Sequence, residues 1–420
     1  MESNETITIT LPDRLSFIHN GVYDFDRYLQ FFDWTLRDTE VQIDFRECRN
    51  ANYQALSLFV LYTWYLRRKG CRFEFLYGEK ETRSVTTMWY NMGAMGLFHV
   101  LNDEGENFHG TPHKPLLAIR NTEDFRAALE KAESYTQTLH IEYEKTLRYI
   151  LSELLYNTLE HGRSYQSIPS LVQFTWYETK HELAFVIADL GVGVKKHLSQ
   201  SYPGLENDVE AILLALKPQV SGTFNGSGQI YAAKNNAGIG LYLSSNIVRR
   251  LHAHMYIISG SGLVHISPTE VTRRKLRSSW PGTFVYVTLN LGAVADLNLQ
   301  KMMVEFREAA ASEVAQASAN DQKQRYYLNV RNYFGRYAED KQLAIKLRDE
   351  KLLPVIEEGV LVTIDFEEVI SAPHSLLTAL LATPIQRLGL AAYKKIKVIN
   401  SSPEIRETID FIFDENTSPG

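Results

Sequence analysis

The sequence predicts an α+β protein built from a central helix-on-sheet domain and two small α/β flanks, and three observations carry that prediction. Near the amino terminus, alternation over residues 41–45, an apolar helical run over 55–68 and renewed alternation over 71–76 spell a β-α-β unit. In the middle, two helical stretches are followed by segments that read as strands around a polar turn, the order of a helix layer on a largely antiparallel sheet. Near the carboxyl terminus the first motif returns: Val41-Gln-Ile-Asp-Phe-Arg-Glu-Cys48 and Val362-Thr-Ile-Asp-Phe-Glu-Glu-Val369 agree at five of eight positions. That agreement reads either as a repeated domain or as a generic buried strand ending in an acid.

Taken in order, residues 41–45 and 71–76 are strands around the 55–68 helix, and 101–115, rich in Gly, Pro, Asn and Asp, is a boundary loop. Residues 124–132 and 141–160 have helical spacing, 171–177 and 183–188 read as strands around a polar hairpin at 178–182, 241–251 as a helix, and 255–259, 263–267 and 283–291 as strands. From about Arg325 a charged helical stretch leads to a strand at 359–366, a helix and a last strand at 396–399.

Composition bounds the function. A chain of 420 residues is too long for one ordinary core and suggests two to four domains at about 150 residues each. With 45% hydrophobic and 22% charged residues it is neither disordered nor collagen-like. The balance of 44 Lys+Arg against 50 Asp+Glu, a net charge of -6, argues against a nucleic-acid coat. Arg273, Arg274, Lys275 and Arg277 form a local basic patch, read as a solvated loop between strands rather than a phosphate-contacting surface. Cys48 and Cys71 are too few for a disulfide framework and wrongly spaced for zinc, so a reducing compartment, the cytoplasm, is expected. The polar start has no secretory pattern, and the longest apolar run, 55–66, falls short of the roughly 20 residues that span a bilayer. No membrane partner is expected.

Three segments carry chemistry. Glu153 and Asn157 lie four apart on a helix, so a carboxylate and a carboxamide share one face while Leu151, Leu154, Leu155 and Leu159 point elsewhere. In isolation that pattern is an exposed polar face. Next, Ala184-Phe-Val-Ile-Ala-Asp-Leu-Gly-Val-Gly193 delivers Asp189 to the end of a buried strand, and Gly191 and Gly193 let the backbone turn tightly and approach a bound group. A carboxylate there costs free energy unless paired, and it suits an exocyclic amine such as that of adenine; alone, the motif is equally a tight turn. Finally, residues 221–240 hold five glycines in twenty positions and end Asn235-Asn-Ala-Gly-Ile-Gly-Leu241 at a helix start, where Gly238 and Gly240 would offer backbone N–H groups to phosphates.

In this order the three segments resemble the ATP-binding domain shared by gyrase, ninety-kilodalton heat-shock chaperones, histidine kinases and MutL, the GHKL or Bergerat fold, over about residues 125–291. Glu153-Leu-Leu-Tyr-Asn157-Thr-Leu-Glu-His-Gly162 is similar to the N box, Asp189-Leu-Gly-Val-Gly193 to the first glycine box, Gly238-Ile-Gly240 to the second, and Pro281-Gly-Thr283 to the G-T that closes the pocket. The resemblance implies that Asn157 coordinates Mg²⁺ bridging the phosphates and that Asp189 reads the adenine amine. It further implies that Gly191, Gly193, Gly238 and Gly240 shape the pocket and lid and that Thr283 supports the adenine end. Glu153 stands where hydrolytic members carry the base that orients water, and Lys234, in the lid, is placed to neutralise phosphate charge.

The His161-Gly162 ending of the N box is most similar to anti-sigma-factor serine kinases, whose partners are STAS domains, and the flanks resemble STAS modules found beside such ATPases in bacteria. The expected domains are therefore a STAS-like one at 1–115, the ATP-binding one at 116–295 and a second STAS-like one at 325–420. Ser375 falls where anti-anti-sigma factors carry their phosphorylated serine, or is an ordinary helix cap; the amino-terminal copy has Gln54 there. His140 lacks the neighbours of a phospho-accepting histidine box, and no transducer domain like that of gyrase follows residue 291. The expectation is an Mg²⁺-dependent, ATP-hydrolysing bacterial regulatory protein whose nucleotide state controls its STAS-like flanks or a protein partner. The alternatives are a serine/threonine kinase and a non-catalytic nucleotide-gated module.

Overall fold

The structure is a computed structural model that describes residues 6–78, 84–102, 107–108, 110–111, 114–136, 141–161, 168–199, 202, 204–218, 220, 240–290, 297–320 and 325–417. It has two compact units. The first comprises Met1–Lys195, Asn207–Pro218 and Gly238–Ala310, and the second Lys196–Glu206, Gln219–Ala237 and Ala311–Gly420. Helices and strands mix throughout, as the predicted α+β class requires.

The first unit contains a parallel sheet of β1 (Thr6–Thr10), β2 (Glu40–Asp44) and β3 (Arg72–Leu76), with β2 central and Val41 opposite both Ile7 and Phe73. Ahead of β2 lies a short helix, α1 (Phe25–Leu29), and after it comes α2 (Tyr53–Arg68), capped by the Asn52 side chain, which accepts from Ala55 N. Every residue from Gln54 to Trp64 on α2 is buried. A helix that is buried all round has partners on both sides. One side of α2 meets the parallel sheet and the other meets a second sheet.

That second sheet has five antiparallel strands, β4 (Leu116–Ile119), β5 (Ser170–Tyr177), β6 (Glu182–Ala188), β7 (His254–Ile266) and β8 (Val271–Asn290), in the order β7-β8-β6-β5-β4. On β6, Leu183, Phe185 and Ile187 join a core with the helices α3 (Thr122–Thr136), α4 (Ile141–His161), α5 (Gly240–Arg250) and the first half of α6 (Leu299–Asn320). The intervening Ala184, Val186 and Ala188 join the core of the amino-terminal region. A strand buried on both faces reads as an unbroken apolar run, which is why 183–188 shows little alternation.

The amino-terminal region covers the sheet face opposite the helices with aromatic side chains. Ring centroids lie 5.0 Å apart for Phe17 and Tyr286, 5.2 Å for Phe25 and Tyr256, and 5.7 Å for Phe32 and Trp280. Gln54, fully buried, donates from Nε2 to Gln173 Oε1 at 2.8 Å and to the Ala184 carbonyl at 3.3 Å.

Two expectations are corrected in this unit. Residues 255–259 and 263–267 belong to one strand, β7, carrying bulges at Ser259/Gly260 and Gly260/Gly262. The basic patch is not a loop: Arg273, Arg274, Lys275 and Arg277 lie on β8, whose residues 271–275 pair with 262–266. Most side chains at 271–279 are exposed, so no apolar alternation announces the strand.

The second unit has a parallel sheet of β9 (Arg325–Asn329), β10 (Leu361–Asp365) and β11 (Ile396–Ile399), with β10 central. The stretch from Arg325 therefore opens with a strand, not a helix; five residues carry too little pattern to reveal a strand whose partner lies 36 positions away in register. The repeated motif occupies the central strand of both parallel sheets. In each copy its aspartate closes the following turn, Asp44 Oδ1 accepting from Arg46 N at 3.0 Å and Asp365 Oδ1 from Glu367 N at 2.9 Å.

The copies differ at the next helix. In the second unit α7 (His374–Leu388) has Pro373 at its cap with no side-chain cap bond, so Ser375 is not a helix cap. It lies exposed in the first turn, whereas Gln54 is buried. The stretch His374–Lys395 is long and apolar enough to cross a membrane by length and composition alone, yet Leu376, Leu377, Leu380, Leu381 and Ile385 are core residues packed with α8 (Pro403–Thr417).

Candidate functional site

The site is built from the end of β6 and the middle of β8. Asp189 follows the last residue of β6 and is 7% exposed, with no cation among its described hydrogen-bond partners. Its backbone continues the ladder, N–H donating to the Thr283 carbonyl at 2.9 Å. Its Oδ1 accepts from Gly191 N at 2.8 Å and from Thr283 N at 3.3 Å. Among the described residues, Oδ2 receives no hydrogen bond. Burial raises the Asp189 pKa to about 6 against the pull of those two N–H groups.

Close packing puts a glycine beside it. A Cβ at Gly282 would overlap the Asp189 carbonyl oxygen and lie 2.6 Å from Oδ1, so only glycine lets β8 approach. Gly193 opens the short helix Gly193–Leu198, and the next residue, Val194, donates its N–H to Ser259 Oγ at 2.8 Å. Ser259 Oγ also accepts from Thr283 Oγ1 at 3.1 Å and donates to the Gly282 carbonyl at 2.9 Å. One buried hydroxyl thus uses its donor and both lone pairs to fasten the first glycine turn to the Gly282-Thr283 segment. Asp189, Gly191, Gly193 and Thr283 therefore converge.

Sequence reasoning missed Ser259 and Trp280. Trp280 is fully buried and donates its indole N–H to the Asp189 carbonyl at 2.9 Å. A serine at a strand bulge leaves no sequence signal, while a tryptophan directly before Pro281-Gly-Thr283 could have been noted.

The second part of the site is on α4 and α5, which pack side by side. Glu153 and Asn157 lie one turn apart, both half-buried. Burial raises the Glu153 pKa, while the neighbouring Tyr149 hydroxyl and Arg307 oppose the shift. Gly240, the first residue of α5, lies so close that a Cβ on it would overlap Glu153 Oε2. The structure thus brings Glu153 against Gly240, two of the residues that the sequence nominated for the phosphate end. Lys234 and Gly238 lie outside the described residues.

These residues fit a nucleotide with a divalent cation. An ionised, buried carboxylate whose second oxygen receives no hydrogen bond among the described residues suits a donor from a ligand, such as an exocyclic amine. Among the described residues no group of three or more His, Cys, Asp or Glu side chains could hold a metal by itself. A Mg²⁺ here would rest on the Asn157 carboxamide oxygen and on phosphate and water oxygens, the usual arrangement for that ion at nucleotides.

Residues 118–262 match the family model of the histidine kinase-like ATPase domain. No curated protein matches the chain. The matched segment contains Glu153, Asn157, Asp189, Gly191, Gly193 and Gly240, and stops before Trp280 and Thr283. It supports a GHKL-type ATPase domain in this chain, with ATP as its ligand and an activity of the ATPase or kinase class.

Proposed function

We propose that the chain is an Mg²⁺-dependent, ATP-hydrolysing regulatory protein of the bacterial cytoplasm. Its 116–295 domain binds ATP, and its nucleotide state controls the STAS-like domains at 1–115 and 325–420 or a protein partner. The observation that carries this reading is Asp189: a buried carboxylate with one oxygen held by two backbone N–H groups and the other left to accept from a ligand.

In this reading Asp189 Oδ2 accepts from the adenine amine, and Thr283 with Ser259 keeps that end of the pocket in register. Mg²⁺, when bound, would neutralise charge on the phosphate oxygens, with Asn157 as its protein ligand. Glu153 orients a water toward the γ-phosphorus and takes its proton as the bond to the β-phosphate oxygen breaks. Burial, by raising the Glu153 pKa, makes it a better base than an exposed glutamate. Gly238, Gly240 and Lys234 belong to the phosphate end.

One observation favours a second reading, a serine/threonine kinase: Ser375 is exposed in the first turn of α7 without serving as its cap. Incubation with γ-labelled ATP and Mg²⁺ separates the readings. Free labelled phosphate without label on protein is the expected result. Stoichiometric label on Ser375 establishes the kinase, and ATP bound with neither product leaves a nucleotide-gated module.

A further inference from the structure

Residues 277–280 of β8 are held one after another by residues 26–34 of the amino-terminal region. Asp26 Oδ1 accepts from Arg277 N at 2.6 Å and from Ser278 N at 3.4 Å, while its Oδ2 accepts from Arg274 Nη2 at 2.5 Å. Trp34 donates its indole N–H to the Ser279 carbonyl at 3.3 Å. The ring of Trp280 stands edge-on to Phe32 at 5.7 Å and to Trp34 at 5.3 Å, and its N–H goes to the Asp189 carbonyl. Three residues further on, Thr283 N donates to Asp189 Oδ1 at 3.3 Å, near the long end of a useful hydrogen bond.

We propose that Trp280 is a positioning residue for Asp189, and that through it the amino-terminal region sets how well the site discriminates adenine. The inference rests on Asp189 being the adenine acceptor. An ionised carboxylate buried without a counter-charge keeps its orientation only through the dipoles around it. Here those are Gly191 N and Thr283 N, and the longer of the two tolerates little displacement of β8. Trp280 fixes β8 from the side away from the helices and pins the Asp189 carbonyl from the same side. None of residues 26–34 nor Trp280 lies in the segment 118–262 that matches the ATPase domain, so the match by itself does not include this control. A partner that loosened the contacts of Asp26 or Trp34 would weaken adenine recognition without touching the nucleotide.

The test uses the full chain carrying Trp280→Phe, which keeps an aromatic ring and removes the N–H, and separately Trp34→Phe, which spares the direct contact with Asp189. Phe45→Leu, in the same aromatic core but against Phe59, Phe75 and Trp89, controls for lost stability. Hydrogen exchange without nucleotide should quicken in peptides covering 188–194 and 281–286 for both tryptophan variants and not for the control. Calorimetry should show ATP affinity falling about five- to tenfold, the worth of one hydrogen bond, with the ATP-over-GTP preference shrinking in step. Unchanged exchange at those peptides overturns the role of Trp280, and quickened exchange with an undiminished ATP preference overturns its bearing on adenine. Wild type binding ATP and GTP equally, with exchange still responding, would instead remove Asp189 as the adenine acceptor and leave Trp280 as its positioning residue.

Discussion

Replacing Asp189 by Asn should stabilise the fold and abolish its use of adenine. The carboxyl has a pKa of about 6 in the folded chain against an ordinary 3.8, because burial disfavours its charge. Between those values the native state holds the proton that the unfolded state has released, so stability falls as pH rises through the window. Above about pH 6 the penalty is complete, roughly two units at about 1.4 kcal/mol each, or ~3 kcal/mol. Asparagine keeps an oxygen for Gly191 N and Thr283 N and carries no charge to bury. Asp189→Asn is therefore expected to raise the unfolding free energy by ~2–3 kcal/mol at pH 8 and by little at pH 4. Urea denaturation followed by tryptophan fluorescence measures this in the right unit, since all five tryptophans, at 34, 64, 89, 176 and 280, belong to the first unit. The same change should cost adenosine binding: with the amide oxygen held by the backbone, its NH₂ faces the adenine amine, donor against donor. Equal destabilisation at pH 8 and pH 4, or adenosine bound as in wild type, would refute the assignment of a buried, ionised acceptor.

Three further outcomes are expected. Glu153→Gln should leave ATP binding in place while turnover, read as phosphate release, falls by ~10²–10⁴-fold, the range for a general base; an unchanged rate would remove Glu153 from the chemistry. Gly240→Ala should displace the Glu153 carboxylate, a flexible group that can move aside, so the denaturation midpoint should hold while the rate drops by ~10²-fold. A wild-type rate would show that the carboxylate works from another position. Gln54→Met keeps volume and removes the bonds to Gln173 Oε1 and the Ala184 carbonyl, although Gln173 Oε1 still accepts from Thr175 Oγ1 at 3.3 Å, and should cost ~0.5–1.5 kcal/mol in the fluorescence-detected transition; no loss would mean that this buried amide contributes nothing to the packing of α2 on the sheet.

What the sequence determined by itself about this protein is local in origin. Glu153 and Asn157 share a helix face because 3.6 residues make a turn, and Asp189 ends a strand because the apolar run before it stops there. The agreement of residues 41–48 with 362–369 placed the same motif on the central strands of two parallel sheets, although β1 and β9, the partners that make those strands central, left no readable trace. The unbroken apolar run of β6 told of burial on both faces, but not that residues 17–34 and α2 supply the second cover.

Only the tertiary structure decided what surrounds Asp189. Trp280 reaches it from 91 positions away, Ser259 ties the glycine turn to Gly282 and Thr283, and Gly240 closes on Glu153 from another helix. The basic residues from Arg273 to Arg277 became a strand because 262–266 pairs with 271–275, and Ser375 lost its place as a cap to Pro373. The physical reason is common to all of these. Periodicity and turn chemistry act over a few neighbouring residues and are written in their order. Hydrogen bonds and close approaches between distant segments depend on where the backbone brings them, and a serine, a glycine or a tryptophan carries no mark of that destination.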